Sequence, residues 1–137
     1  MANLTQTAAE VGVRGSTCKL LVVQAGEAVT QGMPLYRLAT DGKYYKAESG
    51  DTEAKALAIG VAMTPAAADE HACICTGGGN VDLGATLTAG EVYAVSATAG
   101  SVCPTSDLVS TDYVTILGVA ASTAAIALDI NATAIQV

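Results

Sequence analysis

Three side chains with metal-binding chemistry alternate along one short stretch, residues 71–75 (HACIC). Side chains two residues apart in a strand point to the same face, so an imidazole and two thiols would share that face. Neighbouring positions on one face of a strand lie roughly 7 Å apart, and Cys18 and Cys103 have no partner at C-x2-C spacing. Small buried thiols are therefore the favoured interpretation, and we predict no metal site.

No other group of residues has the spacing of a catalytic site. The glycines at 77–79 are not followed by the Gly-Lys-Ser or Gly-Lys-Thr of a phosphate-binding loop. With a single His and no Ser at a strand-to-helix turn, the chain lacks an activated nucleophile. Acidic pairs such as Asp69-Glu70 lie in predicted loops without an apolar pocket to make one of them a proton donor. We predict a protein that is not an enzyme, with no catalytic residue and no cofactor.

The four cysteines are predicted to be reduced. The N-terminus, Met-Ala-Asn-Leu-Thr, lacks the basic and apolar regions of a secretory signal peptide. Thiols that remain in the cytoplasm rarely form structural disulfides. The sequence therefore favours four separate thiols rather than a bridged framework.

The elements that would position any site belong to an internal sequence repeat with two copies. Residues 26–68 match residues 84–125 when the chain is shifted by 58 positions. The glycine pairs are Gly26/Gly84, Gly32/Gly90, Gly42/Gly100 and Gly60/Gly118. Glycines at these positions indicate turns, and we expect Gly32/Gly90 and Gly60/Gly118 to have equivalent backbone conformations. A unit of this length is marginally stable alone, so the two copies are expected to share one core.

Short apolar stretches separated by turn signals predict an all-β fold. The predicted strands are residues 18–23, 33–38, 44–47, 57–63, 71–75, 90–96, 102–104, 113–120, 126–130 and 134–137. Asp41-Gly42 predicts a tight hairpin turn, and one helical turn is expected at 52–56. The chain has no Phe or Trp and is rich in small and β-branched residues, which suit a thin sandwich or a small barrel.

The first 17 residues are small and polar, without sustained periodicity. We interpret them as an extended, poorly anchored arm. The predicted organisation is a flexible N-terminal arm at 1–17, followed by one β domain at 18–137. That domain is a small β-sandwich or barrel built from two related β units.

The charge distribution excludes two classes of partner. The net charge is −7, and all six bases precede residue 56, whereas seven acids and no base follow it. Nucleic acid is not an expected partner, because phosphate neutralisation needs clustered Lys and Arg. No membrane role is expected either, because the longest charge-free stretch, 113–128, is shorter than the roughly 20 apolar residues that span a bilayer.

Four segments resemble the capsid decoration, or cement, proteins of tailed bacteriophages. They are AGEAVTQGMPLY (25–36), ALAIGVA (56–62), LTAGEVYAVSATAGSVCPTSDL (87–108) and ILGVA (116–120). These are glycine and turn motifs, and the resemblance covers roughly residues 22–130. It implies a small β-rich protein that sits as homotrimers on the outside of the head, at or near threefold positions, and braces neighbouring major capsid proteins. The implied location is the outer capsid surface of the virion, after synthesis in the host bacterial cytoplasm.

In that family an N-terminal arm commonly lies along the shell, which the resemblance carries over to residues 1–17. An extended arm can add a strand to an exposed sheet edge of its partner. The basic residues near the arm favour an orientation in which the N-terminal half faces an acidic shell. The predicted capsid contacts are Leu4, Val11, Val13, Arg14 and Lys19.

Two other functions fit parts of the sequence. A head- or tail-attached spike that binds a receptor is compatible with the same fold. Residues 26–35 are also similar to the G-D-x-V-x-x-G-x-x-L turn of biotinyl and lipoyl carrier domains. Against a carrier, Asp41-Gly42-Lys43 does not give the modifiable lysine its expected context, and the second copy, at 98–101, has no lysine.

Overall fold

The computed structural model describes residues 3–14 and 18–136. This part of the chain contains eleven strands, one short helix, α1 (Glu53–Ala56), and two 3-10 turns, Ala8–Glu10 and Thr105–Asp107. The strands are β1 (Val11–Arg14), β2 (Leu20–Gln24), β3 (Pro34–Arg37), β4 (Tyr44–Lys46), β5 (Gly60–Ala62), β6 (His71–Cys75), β7 (Gly79–Leu83), β8 (Val92–Val95), β9 (Val102–Pro104), β10 (Tyr113–Ala120) and β11 (Ala125–Gln136).

The strands form two antiparallel sheets that pack as a sandwich. The first sheet has the order β2-β6-β5-β3-β4 and the second has the order β1-β7-β11-β10-β8-β9. Strands account for 44% of the chain and helices for 8%, so the all-β prediction is confirmed, with a sandwich rather than a closed barrel. Among the described residues, no helix has the length and hydropathy needed to cross a bilayer.

The repeat predicted from the sequence builds the two sheets. β3 recurs 58 residues later as β8, β4 recurs as β9, and the order of the five strands of the first sheet is repeated in the second. The hydrogen bond from the Gly32 amide to the Ala62 carbonyl, 2.8 Å, has its counterpart from Gly90 to Ala120, 2.9 Å. Each related unit therefore forms one sheet.

Two of the four glycine pairs agree in φ and two differ. Gly84 has a φ of +68°, whereas its counterpart Gly26 has no positive φ. The φ values are +89° at Gly32 and +85° at Gly90, and +72° at Gly42 and +76° at Gly100. Of the pair Gly60/Gly118, only Gly118 has a positive φ, so the predicted equivalence of that pair is wrong for the backbone angle. Both members nevertheless approach a neighbouring strand so closely that an added Cβ would overlap a carbonyl oxygen.

The two sheets meet through non-equivalent faces. Tyr36, Val61 and Cys75 of the first sheet belong to the main core between the sheets. The first unit's Val23, Val29, Leu35 and Ala62 form a separate, smaller core, whereas their counterparts Val81, Leu87, Tyr93 and Ala120 lie in the main core. As a result Val61 is fully buried, while its counterpart Val119 is 43% exposed. The units are similar in sequence but differ in what covers each face.

The N-terminal segment is extended, as predicted, but over residues 3–14 it is docked on the sandwich. The Leu4 amide donates to the Val102 carbonyl at 2.8 Å, and the Thr7 amide donates to the Gly84 carbonyl at 2.6 Å. The Gln6 side-chain amide donates to Gly32 at 3.1 Å and to Leu83 at 3.0 Å, which ties both units together. The expectation of a poorly anchored arm is therefore corrected for these residues, because their backbone groups pair with the second sheet instead of with water.

Candidate interaction surface

Two strand edges lie on one flank of the sandwich. β1 is the terminal strand of the second sheet and β2 is the terminal strand of the first. β6, the neighbour of β2, continues into β7, the neighbour of β1, through only three residues, 76–78. This short crossing brings the two edges to the same side, which we call the β1/β2 flank. Each terminal strand has one side without a partner strand in the described part of the chain, and such edges are ready templates for strand addition.

The five predicted contact residues do not form one patch. Leu4 is half-buried against the main core and lies beside β9. β9 and β1 are at opposite ends of the second sheet, so Leu4 is far from the other candidates on β1. Val11, Val13 and Arg14 lie on β1, opposite Leu83, Val81 and Asn80 of β7. Val13 is 37% exposed and Val11 is half-buried, while the side chain of Arg14 lies outside the described part of the structure. Lys19 is exposed, just before β2.

Sequence reasoning missed the most exposed apolar residues of this flank. Leu20, Leu21 and Val22 on β2 are 57%, 44% and 67% exposed. A continuous apolar run such as KLLVV is typical of a strand buried on both faces. The pairing order shows instead that β2 is an edge strand, so its side chains lack neighbours on the outer side. Nothing in the local sequence distinguishes these two situations.

The cysteines are not all separate thiols. Cys18, which precedes β2, forms a disulfide with Cys75 of β6 across 57 residues of sequence, with Cα atoms 6.2 Å apart. The prediction of four reduced thiols is therefore wrong for this pair. The fold brings the two cysteines together, although their separation in the sequence gives no indication of a bond. Cys73 and Cys103 are free. Burial raises the pKa of the Cys103 thiol to about 11, with a further contribution from Asp107, so this thiol stays protonated near neutral pH.

The stretch 71–75 forms the predicted strand, but its three polar side chains differ in environment. His71 is exposed, Cys73 is half-buried, and Cys75 is buried and bonded to Cys18. In the described residues, no three His, Cys, Asp or Glu side chains are grouped so that they could hold a metal ion. A disulfide sulfur is no thiolate ligand, so Cys75 cannot complete such a group.

A polar cleft of about 530 Å³ lies where the N-terminal segment meets the start of the second unit. It is lined by two carboxylates, several threonine hydroxyls and backbone, including Glu10, Asp82, Thr5, Thr7 and Thr86. Its lining contains no imidazole and no thiol. These groups can donate and accept hydrogen bonds.

Charge divides between the two sheets. The part of the chain that forms the first sheet, residues 18–75, contains five bases and seven acids, a net charge of −2. The part that forms β7 to β11, residues 79–136, contains no base and five acids, a net charge of −5. The uneven charge along the sequence is therefore an uneven charge across the sandwich. Arg14 on β1 is the sole base among the strands of the second sheet.

The predicted hairpin forms around Asp41-Gly42, but residues 38–43 connect its strands in place of a tight turn, and its lysine is engaged. β3 and β4 pair from Arg37/Tyr44 outward, and Gly42 has a positive φ, which glycine adopts readily. The Lys43 ammonium forms an ion pair with Asp69 at 2.6 Å. A carrier domain needs its hairpin lysine free for modification, so this geometry does not favour that function.

Within the same hairpin, replacing Tyr45 with Phe is expected to raise the pKa of Asp41. That pKa is lowered chiefly because the carboxylate accepts from the Tyr45 hydroxyl, at 2.6 Å, and also from the Lys43 amide. The same bond raises the pKa of Tyr45 to about 12. Because folding lowers the Asp41 pKa, its stabilising contribution is present above the unfolded-state pKa and is lost as pH falls through the folded value.

Carbon-detected NMR titration of the Asp41 carboxyl measures this effect. Tyr113→Phe, on β10 of the other sheet, is the control and should leave the Asp41 titration unchanged. An Asp41 titration that is identical in Tyr45→Phe and wild type would show that the hydroxyl is not the cause.

Comparison with known proteins identifies no relative of this chain. No protein-family model matches the chain, and no curated protein matches it either. The function must therefore be inferred from the residues, their geometry and the resemblance of the turn motifs.

Proposed function

We propose that this protein is a structural component of a bacteriophage head, which binds the outer capsid surface as an oligomer and stabilises contacts between major capsid proteins. The observation that carries the proposal is the position of the motifs that resemble cement proteins. Residues 25–36 and 87–93 provide equivalent turns in the two sheets, with Gly32 and Gly90 in the same backbone conformation. The resemblance thus concerns residues that build the fold, and not a scattered set of matches.

The charge distribution supports one orientation on the shell. The first sheet carries all the described bases except Arg14, whereas β7 to β11 carry acids alone. An acidic capsid surface would repel the first sheet, with a net charge of −2, less than β7 to β11, with −5, and this difference favours the first sheet and the β1/β2 flank facing inward. The acidic second sheet then faces solvent, where its charge favours solubility.

The edge of β1 provides a route for attachment. β1 pairs with β7 on one side only, so its other side can continue into a strand of the capsid protein. Main-chain hydrogen bonds would hold such a strand, and Val13 would contribute an apolar contact. This replaces the free arm expected from the sequence with a docked edge strand that performs the same role. The trimeric state is taken from the resemblance, and threefold positions of a shell would accommodate it.

Purified protein mixed with phage capsids that lack their decoration protein is expected to bind in stoichiometric amounts at regular surface positions, visible by cryo-electron microscopy. Val13→Asp should weaken binding by more than tenfold, about 1.4 kcal/mol, because it places an uncompensated charge at the added strand. Val109→Asp is the matched control, because Val109 is an exposed valine outside the strands. Capsids that remain bare at all salt concentrations would contradict the proposed function.

Point substitution is preferred over deletion of the arm. Residues 3–14 contribute Leu4 to the main core and Gln6 to both units, so removing them would also disturb the fold. Val13→Asp should therefore be compared with wild type by thermal unfolding before its binding is measured. A variant that unfolds at the wild-type temperature yet loses binding isolates the contact.

A further inference from the structure

One backbone carbonyl has a different donor in the two related units. In the first unit the Tyr44 carbonyl of β4 accepts from the Gly26 amide at 2.8 Å. Its counterpart 58 residues later is the Val102 carbonyl of β9, which accepts from the Leu4 amide, also at 2.8 Å. In the second unit the N-terminal segment therefore takes the place that the turn at Gly26 has in the first.

Residues 3–7 lie in a slot, which we define as the space between the edge of β9 and the turn at Gly84. The Thr7 amide donates to the Gly84 carbonyl at 2.6 Å, and the Gln6 side-chain amide donates to the Gly32 carbonyl at 3.1 Å. A Cβ at Gly84 would overlap the Thr7 carbonyl oxygen. A Cβ at Gly32 would lie 2.6 Å from the Gln6 amide nitrogen. The two glycines thus leave room for an extended peptide.

The side chains of residues 3–7 alternate as in a strand that is covered on one side. Leu4 and Gln6 are half-buried, and the odd-numbered positions are exposed. Leu4 packs against the main core. The Asn3 side-chain amide donates to the Thr98 hydroxyl at 3.1 Å. All these contacts join the segment to the slot, so they can form whichever copy of the chain supplies the segment.

The connection between this segment and β1 can act as a hinge. Ala8–Glu10 forms a single 3-10 turn with no buried residue. Its hydrogen bonds run from the Glu10 amide to the Thr7 carbonyl, at 2.9 Å, and from the Val11 amide to the Ala8 carbonyl. Segments with so few buried contacts open locally without unfolding of the whole domain. Opening here does not require β1 to leave β7, and residues 3–10 reach up to about 26 Å when extended.

We infer that the slot binds residues 3–7 of a second copy of the chain, so that neighbouring copies exchange their N-terminal segments. In this structure the segment occupies the slot of its own chain. Each copy has one segment and one slot, so exchange conserves every contact between them, and swapping identical elements is a low-cost route to oligomers. Exchange between two copies closes a dimer, and exchange around a ring of three closes a trimer. By mass action, exchange increases with protein concentration.

This exchange goes beyond the proposed attachment to a capsid. β1 keeps its open side when the segment moves, so both contacts can form in the same molecule. Copies held side by side on a shell have a high effective concentration, which favours exchange. The exchange is tested on free protein, so its failure would leave the proposed function standing. Capsids that stay bare would in turn leave the exchange standing.

A thiol cross-link between two chains tests the exchange. One chain carries Asn3→Cys and the other Thr98→Cys, both with Cys73→Ser, because Cys73 is free and half-buried whereas Cys103 is buried. The chains are mixed at about 1 mM, where weak specific contacts are populated, and treated with a short bifunctional maleimide. We expect covalent heterodimers, because these two side chains meet when the segment occupies the slot. Val109→Cys in place of Thr98→Cys is the control and should give about tenfold less heterodimer.

One substitution should have opposite effects in the two chains. Leu4→Asn in the Asn3→Cys chain should lower the heterodimer yield about fivefold, because the segment loses its apolar contact with the slot. Leu4→Asn in the Thr98→Cys chain weakens that chain's hold on its own slot and should raise the yield. Thr5→Asn, at the exposed neighbouring position, should change neither.

Thermal unfolding of each variant first establishes that the sandwich has folded, and the cross-link alone decides if Leu4→Asn does not fold. A heterodimer yield no higher than that of the Val109→Cys control would overturn the inference. A yield that Leu4→Asn changes in the same direction in both chains would also overturn it.

Discussion

Reducing the Cys18–Cys75 disulfide is expected to lower the free energy of unfolding by about 4 kcal/mol, because the bond closes a long loop in the unfolded chain. For a domain of this size that corresponds to a fall in unfolding temperature of roughly 15 °C. The bond also holds the segment before β2 to β6, so its loss should loosen the edge strand first. Thermal unfolding followed by circular dichroism, with and without reductant, measures the effect.

The substitutions Cys18→Ala and Cys75→Ala should each reproduce the effect of reduction and should make unfolding insensitive to reductant. If Cys75 were only a small buried thiol, its loss would cost about 1 kcal/mol and reductant would not matter. Cys73→Ser is the control, because Cys73 is free and half-buried, and this variant should keep its response to reductant. Thiol titration of the denatured, unreduced protein should find the two free cysteines, Cys73 and Cys103. Four reactive thiols would contradict the disulfide.

Gly118→Ala is expected to lower the free energy of unfolding by about 3 kcal/mol or more, because its new Cβ would overlap a backbone atom that cannot move aside alone. Gly118 lies in β10, where an added Cβ meets the carbonyl oxygen of Ala127 on β11. The pairing of β10 with both β8 and β11 is irregular at this point. The φ of +157° at Gly118 disfavours a residue with a side chain. Strand separation or a change of register would be needed to relieve the overlap.

Chemical denaturation of Gly118→Ala measures this cost, and Gly12→Ala provides the matched control. Gly12 also lies in a strand of the second sheet, but an added Cβ there has no atom within 4 Å. The control should remain within about 0.5 kcal/mol of wild type or be slightly more stable. Gly60→Ala should also be destabilising, because its Cβ would lie 2.7 Å from the Cys75 carbonyl oxygen. Equal stability of Gly118→Ala and Gly12→Ala would show that the close approach is not a constraint.

Much of the local structure could be predicted from the sequence because it depends on neighbouring residues. The 58-residue repeat, the hairpin at Asp41-Gly42 and the helical turn before Leu57 all appear where their residues predict them. Strand β10 coincides with the predicted range 113–120. Glycines that adopt positive φ and apolar stretches of strand length carry this information within a few residues. The all-β class and the two related units followed from these features.

Local signals failed where a strand depends on its partner. β7 begins at Gly79, in a stretch where no strand is predicted, and β1 lies within the predicted arm. These two segments pair with each other, and neither has a strong strand signal alone. The ranges 126–130 and 134–137 were predicted as separate strands, but β11 spans 125–136 because β10 pairs along it despite irregular register. These segments form strands because they pair with neighbouring strands, although their own residues do not favour a strand.

By itself the sequence determined the turns, the repeat, the β class and the imbalance of charge along the chain. The tertiary structure alone decided which strands became edges, which faces of the two units meet, and which cysteines pair. Leu20, Leu21 and Val22 are exposed because β2 ends its sheet, and Cys18 meets Cys75 because β2 pairs with β6. The physical reason is that turn preferences act within a few residues, whereas edges, faces and bridges arise from contacts between distant segments, which one segment's sequence does not record.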